Sequence, residues 1–265
     1  MGLRVTILGC GSSGGVPRVG GDWGACDPSN PKNTRRRCSL LLETGEADKT
    51  TMVLVDTSPD LRVQLLDADV RRLDAVVFTH EHADHSHGVD DLRPLVINAR
   101  SRIDAWMDEP TSALLRQRFG YIFETPPGSD YPPLLTERRL AHGVPTVIAG
   151  RGAPPLTIVP FRLAHGSGEA LGLRIGGFAY APDLSTIPAE SQALFEGLDT
   201  LVIDALRYRR HPSHLSVEES LAAIARFKPR RAILTNLHTD LDYDALAGDL
   251  PAGVEPAFDG MRLVV

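Results

Sequence analysis

Short apolar runs, each followed closely by Asp or His, place the strongest constraint on the fold of this chain. The runs are brief and rich in Val, Ile, Phe or Tyr, which predicts buried strands rather than helices. They occupy residues 52–55, 75–79, 156–161, 178–181, 201–203 and 232–235. Because the ends of strands meet along one rim of a sheet, we expect the polar residues that follow to converge there. These residues are Asp56, His80, His165, Asp183, Asp204 and His238. For any single run, the alternative is that the polar residue has no role in a site and follows the strand only because the chain reaches water there.

A helix is indicated where Ser216 and Glu219 form a capping-box pattern ahead of helically spaced apolar residues. Residues 59–66 and 111–119 are further helix candidates, and Gly176-Gly177 predicts a tight hairpin turn. Residues 120–155 hold many of the 20 prolines, so we predict a long irregular segment, either covering a site or lying on the surface. Without repeats or a clear linker, we expect one domain over residues 1–265.

The composition restricts the partners and the compartment. A formal net charge of −6 argues against a protein that coats nucleic acid, although it leaves room for a small phosphorylated substrate. Three cysteines at irregular spacing are not a disulfide framework, which favours a reducing compartment. The opening apolar stretch is shorter than a signal peptide, and no window is long enough to span a membrane. We therefore expect a cytoplasmic, soluble protein.

The run His80-Glu81-His82-Ala83-Asp84-His85 directly after a predicted strand indicates a metal site. Imidazole and carboxylate groups suit Zn²⁺ and similar divalent ions. In an extended chain residues i and i+2 point the same way, so His80 and His82 can hold one ion. Asp84 and His85 follow as the chain turns and can face a second ion, at the separation of about 3.5–4 Å typical of two-metal hydrolases. This predicts a metal-dependent hydrolase.

Residues 79–88, Thr-His-Glu-His-Ala-Asp-His-Ser-His-Gly, resemble the His-x-His-x-Asp-His signature of the metallo-β-lactamase superfamily. Residues 8–17, 36–39 and 258–261 resemble its phosphodiesterase branch, which includes the phosphoribosyl cyclic phosphate phosphodiesterase of the carbon–phosphorus lyase pathway. The resemblance covers nearly the whole chain. It implies an α/β fold, a four-layer αββα sandwich of the metallo-β-lactamase type.

The resemblance also implies a site for two divalent metal ions, Zn²⁺ or Mn²⁺. One ion would be held by His80, His82 and His165, and the other by Asp84, His85 and a late histidine, with Asp183 bridging the two. In close relatives the late histidine stands at the position of Asn236. We assign the ligand to His238, which faces the same side two residues later if the chain is extended. The alternatives are Asn236 as a weak ligand or an incomplete second site.

The same relatives carry a structural zinc held by three cysteines and a histidine. The matching positions here are Gly21, Trp23, Cys26 and Thr239, and only Cys26 keeps a ligand type. Since one thiolate cannot hold a structural zinc, we predict that this chain has none.

The resemblance assigns catalysis to a metal-bridging hydroxide, next to Asp84, with His214 as the proton donor to the leaving oxygen. His214 precedes the predicted helix, and the alternative is a histidine that only caps or packs against it. His211 and His142 are weaker candidates. Asp56 and Asp204 are expected to orient metal-bound histidines.

Arg207, Tyr208 and Ser13 are the candidate substrate-binding residues. Arginine binds phosphate through two hydrogen bonds, and Ser13 lies in a Gly-rich loop whose backbone N–H groups can approach an anion. The alternatives are a solvated basic loop at residues 207–210 and a purely structural turn at Ser13.

The sequence therefore predicts a dinuclear metal-dependent phosphodiesterase acting on a small cyclic phosphate or nucleotide phosphodiester. One alternative is a tRNA 3′-processing endonuclease, although no basic arm is present and the net charge is negative. Another is a non-catalytic cofactor-biosynthesis carrier of the same fold. We expect a small phosphorylated partner, neither membrane nor nucleic acid, and an assembly compatible with a homodimer.

Overall fold

The computed structural model describes residues 2–46 and 49–265, which form two sheets of seven strands. Strands are numbered in chain order. The first sheet has the order β14-β1-β2-β3-β4-β5-β6. Its strands are β1 Arg4–Gly9, β2 Ser39–Glu46, β3 Lys49–Val55, β4 Ala75–Val77, β5 Ile103–Met107, β6 Leu135–Arg139 and β14 Arg262–Val264. From β3 to β6 neighbouring strands run parallel.

The second sheet has the order β13-β12-β11-β10-β9-β8-β7. Its strands are β7 Thr146–Ile148, β8 Leu156–His165, β9 Gly168–Ile175, β10 Phe178–Ala181, β11 Thr200–Asp204, β12 Arg231–Thr235 and β13 Val254–Pro256. From β10 to β13 the strands run parallel, whereas β7 to β10 pair in antiparallel fashion. The carboxyl ends of the parallel strands lie along one edge of each sheet. Strands β4, β10, β11 and β12 each end close to one of the polar residues that the sequence predicts to converge.

Helices lie between the strands in sequence. They are α1 Leu61–Asp67, α2 Ala83–Ser86, α3 Arg93–Ala99, α4 Glu109–Phe119, α5 Val217–Phe227 and α6 Tyr243–Asp249. Short 3₁₀ segments occur at Pro31–Asn33, Val89–Leu92, Gly120–Ile122 and Ala189–Phe195. None of the helices in the described part of the chain has the length and apolar character needed to cross a membrane.

Three clusters of buried apolar side chains define the layers. The first contains residues of both sheets, such as Val5 and Val55 with Leu173 and Val202, so it fills the space between the sheets. The second joins β3, β4 and β5 to α1, α3 and α4. The third joins β10, β11 and β12 to α5 and α6. Helices therefore cover the outer face of each sheet, which confirms the predicted four-layer αββα sandwich.

Most predicted elements are confirmed. Five of the six apolar runs lie wholly in strands, and the run at residues 75–79 is a strand up to Val77. Gly176-Gly177 connects β9 to β10, and α5 begins with the capping box of Ser216 and Glu219. The prediction for residues 120–155 is wrong in part, because β6 and β7 lie within that range. Leu-Thr-Glu-Arg-Arg of β6 has no apolar alternation, and it becomes a strand by pairing with β5 at the edge of the first sheet.

Candidate metal centre

The histidine run leaves β4 as extended chain and turns into the short helix α2. The carboxylate of Asp56 accepts hydrogen bonds from the backbone N–H and the hydroxyl of Thr79, both at 2.8 Å. Ser86 Oγ donates to the carbonyl oxygens of Glu81 and His82, which closes the turn. Gly88 ends the run where a Cβ would lie 1.9 Å from the carbonyl oxygen of Ser58, so only glycine fits. Contacts with other parts of the protein therefore shape the run without a bound ion.

Three histidines form the first ligand group. His80, His82 and His165 each present one ring nitrogen to a common point, with the three ligand atoms within 4.8 Å of one another. Nε2 of His165 lies 3.2 Å from Nδ1 of His82. His165 is oriented by its other nitrogen, Nδ1, which lies 2.8 Å from the carbonyl oxygen of Ser213.

The second ligand group consists of His80, His85 and Asp183, whose ligand atoms also lie within 4.8 Å of one another. His85 Nε2 lies 3.4 Å from Asp183 Oδ2 and 3.5 Å from Asp84 Oδ2. Nδ1 of His85 lies 2.7 Å from Asp56 Oδ2, so the ring is held in place from behind. The structure thus brings together six of the seven predicted ligands: His80, His82, Asp84, His85, His165 and Asp183.

The chemistry of these residues fits divalent metal ions. Nε2 of His80 and Nε2 of His85 are buried and have no hydrogen-bond partner among the described residues. A buried polar atom without a partner is costly, and a bound cation would satisfy both nitrogens. Burial, reinforced by His85, lowers the pKa of His80 well below its usual value, so its ring is neutral and offers a lone pair. Burial also disfavours the charged form of His85, but Asp183, Asp56 and Asp84 outweigh this effect and raise its pKa.

His238, the predicted seventh ligand, is not brought to the cluster. Its Nε2 contacts the guanidinium of Arg18, and its Nδ1 lies 2.8 Å from Asp240 Oδ1. The assignment assumed an extended chain, but Asn236 has a φ of 62°, in the left-handed region, so the alternation of side chains fails there. Asn236 itself lies beside the cluster, with Nδ2 at 3.3 Å from Asp183 Oδ1.

His214, the predicted proton donor, lies next to the metal ligands. Its ring forms a further potential ligand group with His165 and Asp183, and Nδ1 lies 2.9 Å from Asp204 Oδ2. Burial disfavours the charged form of His214, but the hydrogen bond and the charge of Asp204 raise its pKa overall. Asp204 therefore orients His214, whereas Asp56 orients the ligand His85.

A cavity of about 140 Å³ adjoins the cluster at Asp84 and His214. Its other lining residues are Ser12, Ser13, Arg18, Leu206, Arg207, His211 and His238. Two of the predicted substrate-binding residues, Ser13 and Arg207, therefore line this cavity. Tyr208 is not part of this lining and is 47% exposed. His142 lies elsewhere and accepts a hydrogen bond from the backbone of Arg162.

Two arginines outside the predicted set of site residues contribute to this region. Arg18 lines the cavity, and the only available signal was its place shortly after the Gly-rich loop. Arg35, which is 1% exposed, donates to the carbonyl oxygens of His238 and Leu241 at 3.2 and 2.6 Å. Its Nη1 lies 3.8 Å from Sγ of Cys26, and that sulfur lies 3.4 Å from the carbonyl oxygen of Thr239. Arg35 thus links the early loop around Cys26 to the late segment around His238 and Leu241.

Known proteins share this architecture. The model of the beta-lactamase superfamily domain matches residues 51–236. A solved structure, described as a new diphosphatase from the PhnP family, is 34% identical with a TM-score of 0.87, covering 100% of this chain and 98% of that one. Human tRNase Z, short form, is 16% identical with a TM-score of 0.64, covering 98% of each chain, which shows the fold alone.

An octanoyltransferase of Porphyromonas gingivalis (strain ATCC BAA-308 / W83) is 34% identical over 268 residues, which is 99% of this chain and 52% of that protein. The chain therefore spans about half the length of the curated relative that it matches. The family model, by contrast, covers most of this chain and includes the histidine run, His165, Asp183 and His214. The histidines and aspartates of the cluster can hold divalent metal ions, and the family model covers them, so the chain belongs to the beta-lactamase superfamily.

Proposed function

We propose that this chain is a metal-dependent hydrolase, and specifically a phosphodiesterase that uses two divalent metal ions and acts on a small phosphate ester, either a cyclic phosphate or a nucleotide. The observation that carries the proposal is the position of Asp183 Oδ2. It lies near Nε2 of three histidines: His85 at 3.4 Å, His80 at 3.7 Å and His165 at 3.8 Å. Asp183 therefore lies close to histidines of both ligand groups, as expected of a carboxylate that would be shared by two ions.

The ligands divide between two ions. His80, His82 and His165 would hold one, Asp84 and His85 the other, and Asp183 both. When bound, zinc or manganese ions would lower the pKa of water to about 7 and neutralise charge on phosphoryl oxygens. We further propose that residues 1–265 act as a single domain, which the apolar core shared by the two sheets supports.

His214 is the residue that we assign to proton transfer. Nδ1 of His214 is held by Asp204, and the ring lies close to His165 and Asp183. A histidine in this position can deliver a proton to the leaving oxygen of an ester.

The cavity beside the cluster supports an anionic substrate. Arg18 and Arg207 bring positive charge to a wall that also contains Ser12. Ser12 Oγ is buried and has no hydrogen-bond partner among the described residues, so it is free to donate to a phosphoryl oxygen. The small volume and the net charge of −6 favour a small substrate over tRNA.

A second candidate activity is hydrolysis of a diphosphate. It is favoured by the 34% identity to a solved protein described as a diphosphatase. The same cluster would serve, because a phosphoanhydride and a phosphodiester both require attack at a charged phosphorus.

The test is turnover by metal-loaded protein of bis(p-nitrophenyl) phosphate, 2′,3′-cyclic nucleotides, phosphoribosyl cyclic phosphate and a dinucleoside diphosphate. We expect hydrolysis of at least one diester, and a loss of at least about 100-fold in His82→Ala. His87→Ala is the matched control, since His87 is exposed and packs on Phe119 outside the ligand groups. Equal turnover by wild type and His82→Ala would refute the proposal, and turnover of the dinucleoside diphosphate alone would select the second candidate.

Further support would come from Arg18→Ala. Because this change removes positive charge from the cavity but no metal ligand, we expect a higher KM with unchanged metal content. Arg71→Ala serves as the control, because Arg71 is exposed and paired with Asp69.

A further inference from the structure

We propose that the two metal sites differ greatly in affinity, because Asn236 acts as a hydrogen-bond donor to the bridging carboxylate and does not serve as a metal ligand. The inference rests on the proposed function and deepens it. It predicts one tightly held ion and one exchangeable ion.

The first site has a full set of protein ligands. His80, His82 and His165 supply three imidazole nitrogens, and Asp183 adds a carboxylate oxygen. Four protein ligands of this kind complete the coordination that Zn²⁺ prefers.

The second site has fewer protein ligands. Asp84, His85 and the shared Asp183 lie together, with His85 Nε2 at 3.5 and 3.4 Å from the two carboxylates. His238 supplies no further nitrogen, because Arg18 and Asp240 contact both atoms of its ring that could bind a metal.

Asn236 lies beside Asp183, and its amide nitrogen is directed to three polar groups. Nδ2 lies 3.3 Å from Asp183 Oδ1 and 3.2 Å from Asp204 Oδ1. It also lies 3.1 Å from Nδ1 of His214. An amide N–H is a donor and has no lone pair for a cation. The residue is buried and joins Asp183 to Asp204, which orients His214.

The neutral amide of Asn236 therefore links the ligand Asp183 to the proton donor His214. Because Asn236 serves in this way, the second site lacks one metal ligand. With two carboxylates and one imidazole, the second site is richer in oxygen ligands than the first. Oxygen ligands suit Mn²⁺ better than Zn²⁺. The second ion should exchange with the medium.

The experiment is a competition titration of metal-free full-length protein with Zn²⁺ against a chromophoric chelator, together with elemental analysis after gel filtration. For the wild type we expect one retained zinc per chain and a second binding event at least about 100-fold weaker. Asn236→His should retain two ions whose affinities lie within about tenfold, since it restores an imidazole. The left-handed backbone at this position accepts His as well as Asn or Asp.

If Asn236→His does not fold, Asn236→Asp provides the same test with a carboxylate ligand. His85→Ala is the control for assignment, because it should abolish the weak event and leave the tight one. Two equally tight ions in the wild type would overturn this inference while leaving the proposed function intact. Wild-type protein that retains no ion would instead overturn the proposed function.

Discussion

Oδ2 of Asp56 lies 2.7 Å from Nδ1 of His85, and both side chains are fully buried. Asp56 directly follows β3 and has a φ of 63°, and its carboxylate reaches residues that follow the neighbouring strand β4. The same carboxylate accepts from Thr79. One residue therefore orients a metal ligand and anchors the start of the histidine run.

The first prediction concerns this contact. Asp56→Asn should weaken metal binding by about 10- to 100-fold, because the ring of His85 loses a charged acceptor that fixes its orientation. The measurement is the Kd for Zn²⁺ by chelator competition. Asp69→Asn is the matched control, since Asp69 also has a positive φ, of 50°, but is exposed. An unchanged Kd in a folded Asp56 variant would contradict the assigned role.

The second prediction separates proton transfer from metal binding at His214. His214→Gln should lower kcat by about 100- to 10,000-fold on the preferred phosphodiester, the usual contribution of a general acid. Metal content by elemental analysis should not change. Loss of an ion in this variant would show that His214 is a ligand, consistent with its closeness to His165 and Asp183. His211→Gln, at another lining residue of the cavity, should have a smaller effect.

The third prediction concerns the buried Arg35. Arg35→Met should lower the free energy of unfolding by about 3 kcal/mol, because the carbonyl oxygens of His238 and Leu241 lose charged donors inside the protein. Denaturant titration measures the change. Arg71→Met, at an exposed position, should change stability by less than about 0.5 kcal/mol. Equal midpoints for the two variants would argue against a stabilising link between the early and late segments.

The fourth prediction is a pH dependence that comes from Asp259. Desolvation raises the pKa of this carboxyl to about 7, although it accepts hydrogen bonds from the backbone N–H groups of Arg36 and Cys10. A carboxyl whose folded pKa is raised favours folding at low pH, and this contribution is lost as the pH rises from about 4 to about 7. Asp259→Asn should therefore flatten the unfolding free energy against pH by up to about 1.4 kcal/mol per pH unit.

The measurement for Asp259 is a series of denaturant titrations of metal-free protein between pH 4.5 and 8. Both chains keep the same metal ligands, so the difference between wild type and variant isolates this carboxyl. Parallel curves for the two proteins would show that Asp259 does not titrate differently on folding.

Local sequence determined a large part of this fold. The apolar runs became strands because each was short, rich in β-branched or aromatic residues and followed closely by a polar residue. Helix α5 begins directly after Ser216 because its cap is a contact within one turn. His80 and His82 were predictable for the same reason, since their relation depends on two residues of extended chain. By contrast, β6 is a strand through pairing with β5, which its own charged sequence does not indicate.

The long-range parts of the site were decided by tertiary structure alone. The apolar runs placed His165 and Asp183 at strand ends, but only the resemblance gave them a role as ligands, because they reach His80 from the opposite sheet. Residue spacing predicted His238 as a ligand, yet the left-handed turn at Asn236 directs His238 to Arg18 and leaves an amide beside Asp183. Spacing along a chain predicts direction only while the backbone stays regular. Once a single φ changes sign, only the packing of distant segments determines which side chain reaches the metal centre.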